Sequence, residues 1–331
     1  TKKMKKFKKV AALAMAAMMA VSMTACGGSG ADSGDGAKTY TVGVCQLIEH
    51  PALDSATQGF QDALTEKLGE AVTFDVQVAS GDSATCTPIT TNFVTNNYDL
   101  IMANGTAALQ SAASATADIP ILGTSITDYA TALDMDNWTG ITGTNISGTS
   151  DLAPLDKQAD MITEWCPDAK TVGLLYCSKE ANSQYQVDVV KAALEKKGLK
   201  ATLYPFTDSN DLAQICTTAA DNCDVIYVPT DNTVAENTSI IDNICEPKKI
   251  PVIAGEEGIC SGCGIATLSI SYYDLGYTTG KMAVKILRDG EDISTMPIEY
   301  AEKQTPKYNQ QNCDALGLKP LEGYVAIEAA E

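Results

Sequence analysis

The polar residues able to do chemistry fall in short clusters, each directly behind an apolar run. The first half of the chain offers Glu49, His50 and Asp54, then Asn104, Gly105 and Thr106, then Thr124, Ser125 and Thr127. The second half offers Tyr176, Ser178, Glu180 and Asn182, then Thr230, Asp231, Asn232 and Thr233, then Glu256 and Glu257. The two halves differ in kind. The first supplies hydroxyls and backbone amides at helix starts, which receive a carboxylate because those amides lack partners and the helix dipole favours an anion. The second supplies carboxylates, Asp231, Glu256 and Glu257, which suit an ammonium. A zwitterionic amino acid satisfies both sets, and His50 and Tyr176 would stack on its side chain.

Each assignment has a plainer competitor. His50 precedes Pro51 and can simply brace its loop. Asn104-Gly105-Thr106 reads equally as a turn and a cap, and Asp231 as the cap of a helix starting near Thr233. One of Glu256 and Glu257 faces solvent; Glu256 is carried as the candidate, and the sequence leaves open which of the two faces the ligand. A single histidine excludes H-E-x-x-H, no G-x-S-x-G elbow is present, and GYTTGKM (Gly276 to Met282) lacks the spacing of a phosphate loop. The carboxylates would suit an acid–base pair in principle, but nothing selects that over binding.

The elements that must carry these clusters alternate. YTVGVCQLI (40–48) is a strand, and Asp54 or Ser55 caps a helix with Ala56, Phe60, Leu64 and Leu68 on one face, closed by Gly69. A strand at 72–79, a helix at Pro88 to Asn96, a strand at 99–103, a helix to about Ala117 and a strand at 119–122 follow. The second half repeats the layout: TVGLLYC as strand, a helix capped by Ser183, KATLYPF as strand, a helix at 212–220, VIYVP, one helix over 234–245, then IPVIA. Matched starts lie 130 residues apart for Thr41 and Thr171, 125 for Tyr98 and Cys223, and 131 for Ile119 and Ile250. The layout is duplicated, and ITGTNISGTSDLAPL (Ile141 to Leu155) is the crossover between the copies.

Continuously apolar strands alternating with helices predict an α/β protein of two Rossmann-like, doubly wound parallel-sheet lobes joined by a hinge. In such sheets ligands bind beyond the carboxyl ends of the strands, where all the clusters above fall. The expected division is 39–147 with a return of 271–297 for lobe one, and 148–270 with a return of 298–331 for lobe two. Crossings are expected near Ser269 to Tyr273 and Met296 to Tyr300, and the tail as irregular wrapping.

Residues 1–25 read as a signal peptide: six lysines precede an apolar run from Val10 to Val21 that is too short to span a bilayer. Thr24-Ala25-Cys26 resembles a bacterial lipobox, with Met23 where Leu is commoner, so Cys26 is expected to carry a lipid anchor and 26–38 to be a flexible tether. Cleavage removes six of 23 basic residues and leaves 17 against 42 acidic ones, a net charge of −25 that makes nucleic acid a poor partner. Of eleven cysteines, Cys260 and Cys263 form a C-x-x-C pair without a second such pair. A local disulfide or two free thiols is expected there, and neither metal nor cofactor. Cys216 and Cys223 are another possible pair, while Cys45, Cys177 and Cys245 read as small core residues.

Several segments together resemble the substrate-binding lipoproteins of ABC importers, of the tryptophan and tyrosine uptake type. They are HPALDSATQGFQDAL (His50 to Leu64), SGTSD (Ser147 to Asp151), LLYCSKEANS (Leu174 to Ser183), VPTDNTV (Val228 to Val234) and ATLSISYYDLGYTTGKMAVKIL (Ala266 to Leu287). The resemblance spans about Tyr40 to Tyr324. It implies a periplasmic-binding-protein-like Venus flytrap, a monomer on the outer face of the membrane. Its lobes would close on a small amino acid, often aromatic, and deliver it to a permease driven by a separate ATPase. It places the ligand at His50, Thr106, Ser125, Tyr176, Asn182 and Asp231. The alternatives are a sugar or nucleoside receptor of the same architecture, or a surface enzyme or redox protein using CSGC or the carboxylates. Trp138 and Trp165 fall away from the strand-end loops, which weighs against sugars.

Overall fold

A computed structural model describes residues 38–328; the expected signal peptide, Cys26 and all of the tether but Lys38 lie outside them. Strand β1 (Tyr40–Gln46) leads to helix α1 (Pro51–Leu68), followed by β2 (Val72–Val78), α2 (Ser83–Thr95), β3 (Leu100–Asn104), α3 (Thr106–Ala115), β4 (Ile121–Ile126), α4 (Tyr129–Ala132) and β5 (Ile146–Ser150). After the crossover come α5 (Leu155–Trp165), β6 (Thr171–Cys177), α6 (Ala181–Lys196), β7 (Lys200–Phe206), α7 (Ser209–Asn222), β8 (Val225–Val228), α8 (Asn232–Glu236), α9 (Thr238–Cys245), β9 (Val252–Ala254), α10 (Glu257–Cys263) and β10 (Ala266–Ser269). The chain finishes with α11 (Tyr272–Leu287), β11 (Glu299–Tyr300), β12 (Thr305–Tyr308), α12 (Gln310–Leu316) and β13 (Val325–Ala326).

These form two sheets, ordered β11-β5-β4-β3-β1-β2 and β13-β12-β10-β9-β8-β6-β7. All pairings are parallel except β10 with β12. Alternation along β1 sends Val42 and Val44 to a core shared with Phe60, Leu64 and Met282, and Cys45 to the opposite core with Phe93 and Leu109. In the second sheet Leu174 and Tyr176 face Val187 and Val190 of α6, while Leu175 and Cys177 face Leu212 of α7 and Ile241 of α9. Both sheets are thus apolar on both faces, as parallel sheets between helices must be.

Several boundaries depart from the expected ones. Helix α1 starts at Pro51, not Asp54, because a proline at the first helical position needs no partner for its missing N–H. Pro88 lies inside α2, which Asp82 caps six residues earlier by accepting from the Thr85 amide at 2.8 Å. The single helix expected over 234–245 breaks at Asn237 into α8 and α9. The tail is not irregular, since β12, α12 and β13 extend the second sheet and its cover. The 147/148 division falls inside β5, which runs to Ser150. Residues 299–300, grouped with the second lobe, pair with Thr149 and Ser150 in the first sheet. The chain therefore passes between sheets at 151–154, 270–271 and 301–304.

Helix α11 follows the last strand of the second sheet's parallel run but packs on the first. Its Leu275, Met282, Val284 and Leu287 are buried, each contributing about 1.5–3 kcal/mol. The contact with α1 is backbone against backbone: a Cβ on Gly276 would overlap the Ala56 carbonyl, and one on Gly59 the Tyr273 carbonyl. One on Gly280 would sit 2.6 Å from Ala63 Cβ. Tyr273 and Tyr277 add hydroxyl bonds to Asp62 and Glu66 on the facing turns of α1. Gly276→Leu is expected to destabilise by about 3 kcal/mol or more, since overpacking here moves two helices. Lys285→Leu, exposed on the same helix, should stay within about 0.5 kcal/mol; denaturant unfolding of the two variants side by side checks this.

Candidate functional site

The carboxyl ends of both sheets face each other across a cavity of about 10 Å3, room for roughly one water. Of the strand-end candidates, His50, Ser125, Asn182, Asp231, Asn232 and Glu256 line it. Thr127 and Thr230, also flagged by their position behind strands, line it too. Asn104, Thr106, Thr124 and Tyr176 do not, and each has a structural reason. Asn104 ends β3 and its amide donates to the Leu53 carbonyl at 2.7 Å and to Thr57 Oγ1 at 3.0 Å, fastening α1 from behind. Thr106 opens α3 and is buried there. Thr124 lies within β4, its hydroxyl 3.0 Å from that of Thr149. Tyr176 precedes the last residue of β6, so alternation turns it into the α6-side core, where its hydroxyl donates to Gln184 at 2.9 Å.

The first lobe's wall is built for an anion. His50 caps α1 with its backbone only, and no side chain satisfies the first amides of that helix. Pro51 has no N–H, so the free donors are Ala52 and Leu53, which line the cavity. Beside them Ser125 stands in a left-handed conformation (φ 56°), and its buried hydroxyl has no partner. A strained backbone that presents an orphan hydroxyl is a pattern concentrated at functional sites.

The second lobe's carboxylates are mostly occupied. Asp231 caps α8 through the Val234 amide at 2.9 Å, and also accepts from the Cys177 amide at 2.7 Å and the Ser183 hydroxyl at 2.8 Å. Burial first, then the neighbouring Glu180, pushes its carboxyl up to about 8. All three partners donate, however, so the charged form is the one this geometry accommodates. Glu256 caps α10 through the Gly258 amide at 2.7 Å and the Ile259 amide. Burial raises its carboxyl, and nearby His50 opposes the rise. Glu257 points away into a neighbouring groove of about 1010 Å3 and pairs with Lys307 at 2.9 Å. Glu256 is therefore the one of the two at the cavity. Glu180 accepts from the Asn232 amide at 3.0 Å, the Thr233 amide at 2.9 Å and the Asn232 side chain at 2.8 Å.

That last bond fixes a bridge between lobes. With Asn232 Nδ2 donating to Glu180, its Oδ1 must accept, so His50 Nε2, 3.0 Å away, carries the proton. The sequence reading missed two residues, Asp151 and Tyr272. Asp151 is fully enclosed, accepting from Thr127 at 3.2 Å and from the Tyr272 hydroxyl at 2.7 Å. Burial raises its carboxyl, while those hydroxyls and His50 hold it down. It directly follows β5, so the strand-end rule that found the other clusters points to it as well. Reading SGTSD only as hinge hid it.

Asp231→Ala would leave two amides and a hydroxyl without an acceptor. A loss of stability of about 2–4 kcal/mol by denaturant unfolding is expected, which is a heavier structural role than a ligand contact alone would give.

Comparison with known proteins follows the same lines. The model of the family described as ABC transporter substrate binding protein matches residues 41–330. A tyrosine-binding protein of Clostridioides difficile is 34% identical over 87% of this chain and 84% of its own. A Streptococcus pneumoniae ABC domain solved with L-Trp is 31% identical, covers 87% of this chain and all of its own, and superposes with a TM-score of 0.82. The ligand-free, open structure of a Clostridium difficile substrate binding protein with adhesive properties is 38% identical over 88% of this chain and all of its own, with a TM-score of 0.68.

Proposed function

Because the chain belongs to the substrate-binding proteins of ABC transporters, we propose that it captures one free amino acid, of the aromatic class, by closing its lobes. The observation that carries this reading is the pairing of opposite chemistries at one cavity: the open amides of α1 with the orphan Ser125 hydroxyl, and the enclosed Asp151 at the start of the first inter-sheet crossing. The α-carboxylate goes to Ala52, Leu53 and Ser125, and the α-ammonium to Asp151. Asp151 is preferred over Asp231 and Glu256 because its partners are two hydroxyls rather than helix amides, and each of its oxygens keeps a lone pair. The aromatic class rests on the relatives that carry tyrosine-binding and L-Trp in their descriptions.

Lobe closure is supported by two facts. The cavity is too small to admit an amino acid unless the lobes part. The chain also superposes better on the L-Trp complex than on the open, ligand-free relative, although its sequence is closer to the latter. The family sets the protein on the extracellular or periplasmic side of the membrane. The finer reading adds a lipid on Cys26, a permease and ATPase as recipients, and the mature chain as a monomer.

Calorimetric titration with L-tyrosine and L-tryptophan, beside a thermal-shift panel of other amino acids, sugars and nucleosides, tests the proposal. Asp151→Asn keeps a local bond, since the Tyr272 hydroxyl can turn from donor to acceptor, but removes the charge. Affinity should fall about 10- to 100-fold, the value of a hydrogen bond to a charged group. Stabilisation by sugars or nucleosides alone would sink the amino-acid reading. Unchanged affinity in the variant would remove Asp151 from the site.

A further inference from the structure

All ten described cysteines are free thiols, and four of them point at an oxygen. Cys177 faces the Thr207 carbonyl at 3.6 Å, Cys223 the Tyr204 hydroxyl at 3.6 Å, Cys263 the Ile259 carbonyl at 3.4 Å and Cys313 the Ile265 carbonyl at 3.8 Å. Cys216 and Cys245 instead face each other, with their Sγ atoms 3.8 Å apart, and Cys45 and Cys86 are a second pair of thiols in side-chain contact. Cys216 sits in the middle of α7 and Cys245 is the last residue of α9; both helices cover the same face of the second sheet. The pairing of Cys216 with Cys223 considered from sequence is not formed. Cys216 lies on the buried stripe of α7, whereas Cys223 follows the helix end and turns toward Tyr204.

We propose that Cys216 and Cys245 are a latent disulfide site that staples α7 to α9. Bond formation needs the sulfurs to approach by about 1.8 Å, to the ~2.05 Å of a disulfide. Cys245 can supply that movement because it ends its helix and is followed by a turn in which Lys249 is left-handed (φ 58°). The cross-link closes the chain between residues 216 and 245, a loop long enough for the constraint on the unfolded chain to matter.

The oxidant is a small disulfide such as oxidised glutathione. One cysteine thiolate attacks it, forming a mixed disulfide and releasing one glutathione thiolate. The second cysteine then attacks the mixed disulfide, closes the Cys216–Cys245 bond and releases the other. The two cysteine protons end on the two glutathione thiols, and two electrons pass to the oxidant. Both thiols are buried in the folded protein, and the hydrogen bond to Cys216, then burial, pushes the Cys245 thiol up. Attack on an external disulfide is therefore slow once the lobe has folded, and the bond forms during folding.

The full chain, refolded from guanidinium with a glutathione redox pair or with dithiothreitol, tests this. Thiols are alkylated under denaturing conditions and the peptides mapped without reduction. A Cys216–Cys245 linked peptide is expected only from the glutathione sample, with a Tm on the order of 5 °C above the reduced protein, and dithiothreitol under denaturing conditions should abolish the link. Cys216→Ala and Cys245→Ala, each compared with its own reduced form, should lose the rise. Alkylation of every thiol after oxidative refolding would overturn the proposal. So would a dominant link elsewhere, such as Cys45–Cys86 or Cys260–Cys263, or a Cys216–Cys245 link that lowers Tm.

Discussion

The backbone contact between α1 and α11 is the constraint on which the site depends. Both helices begin at the cavity, α1 with His50 and its open amides, α11 with Tyr272 on Asp151. Their separation fixes how far apart those groups stand. With Gly59, Gly276 and Gly280 at the crossing, side chains cannot cushion the approach, so the two starts are set by main-chain dimensions. Close packing without slack transmits displacement, and a shift along either axis would reach the ligand wall undamped.

The same contact gives the fold its connectivity. A chain that built the first lobe, then the second, and stopped would be joined by one strand-to-helix link. Here α11 and β11 return to the first sheet before β12 goes back to the second, so three segments cross. Three short links side by side permit rotation about the axis they share and resist sliding. That is the mechanical condition for hinge motion between otherwise rigid bodies.

The architecture was legible in sequence because it is written in apolar runs and repeated at an offset near 130 residues. Placement at the cavity was legible where a residue sits in the loop between a strand and the next helix, as with His50, Asp231 and Glu256. It failed where one residue of register decides. Tyr176 lies before the last position of β6 and Thr124 lies inside β4, so both turn into packing although they are near neighbours of true cavity residues. It also failed for Tyr272, which reaches the cavity only because α11 returns to the first lobe, a tertiary fact with no local signature. Pro88 misled for a related reason: it marks helix starts in general, while the Asp82 cap upstream was the stronger local signal.

The distribution of charge bears on what closure requires. Between the lobes, His50 and Asn232 share a hydrogen bond of ordinary length, worth about 1 kcal/mol net, which is too little to hold two bodies together. Moving a population from 1:99 to 99:1 takes about 5.5 kcal/mol of differential affinity. Hydrogen bonds to charged groups contribute about 1.5–3 kcal/mol each, so about two to four must form only in the closed state. A ligand with one charge could find them on one wall and would favour neither state. On the proposed reading, a zwitterion draws its carboxylate to the α1 amides and its ammonium toward Asp151, at the start of the first inter-sheet crossing. Its side chain then completes the bridge by lying against the second lobe's Thr230 and Asn232 wall. The scarcity of free carboxylates in the second lobe, where Asp231, Glu256 and Glu180 already bind helix amides, has a consequence here. That wall is rigid before ligand arrives, so little ordering is left to offset the gain from closing upon it.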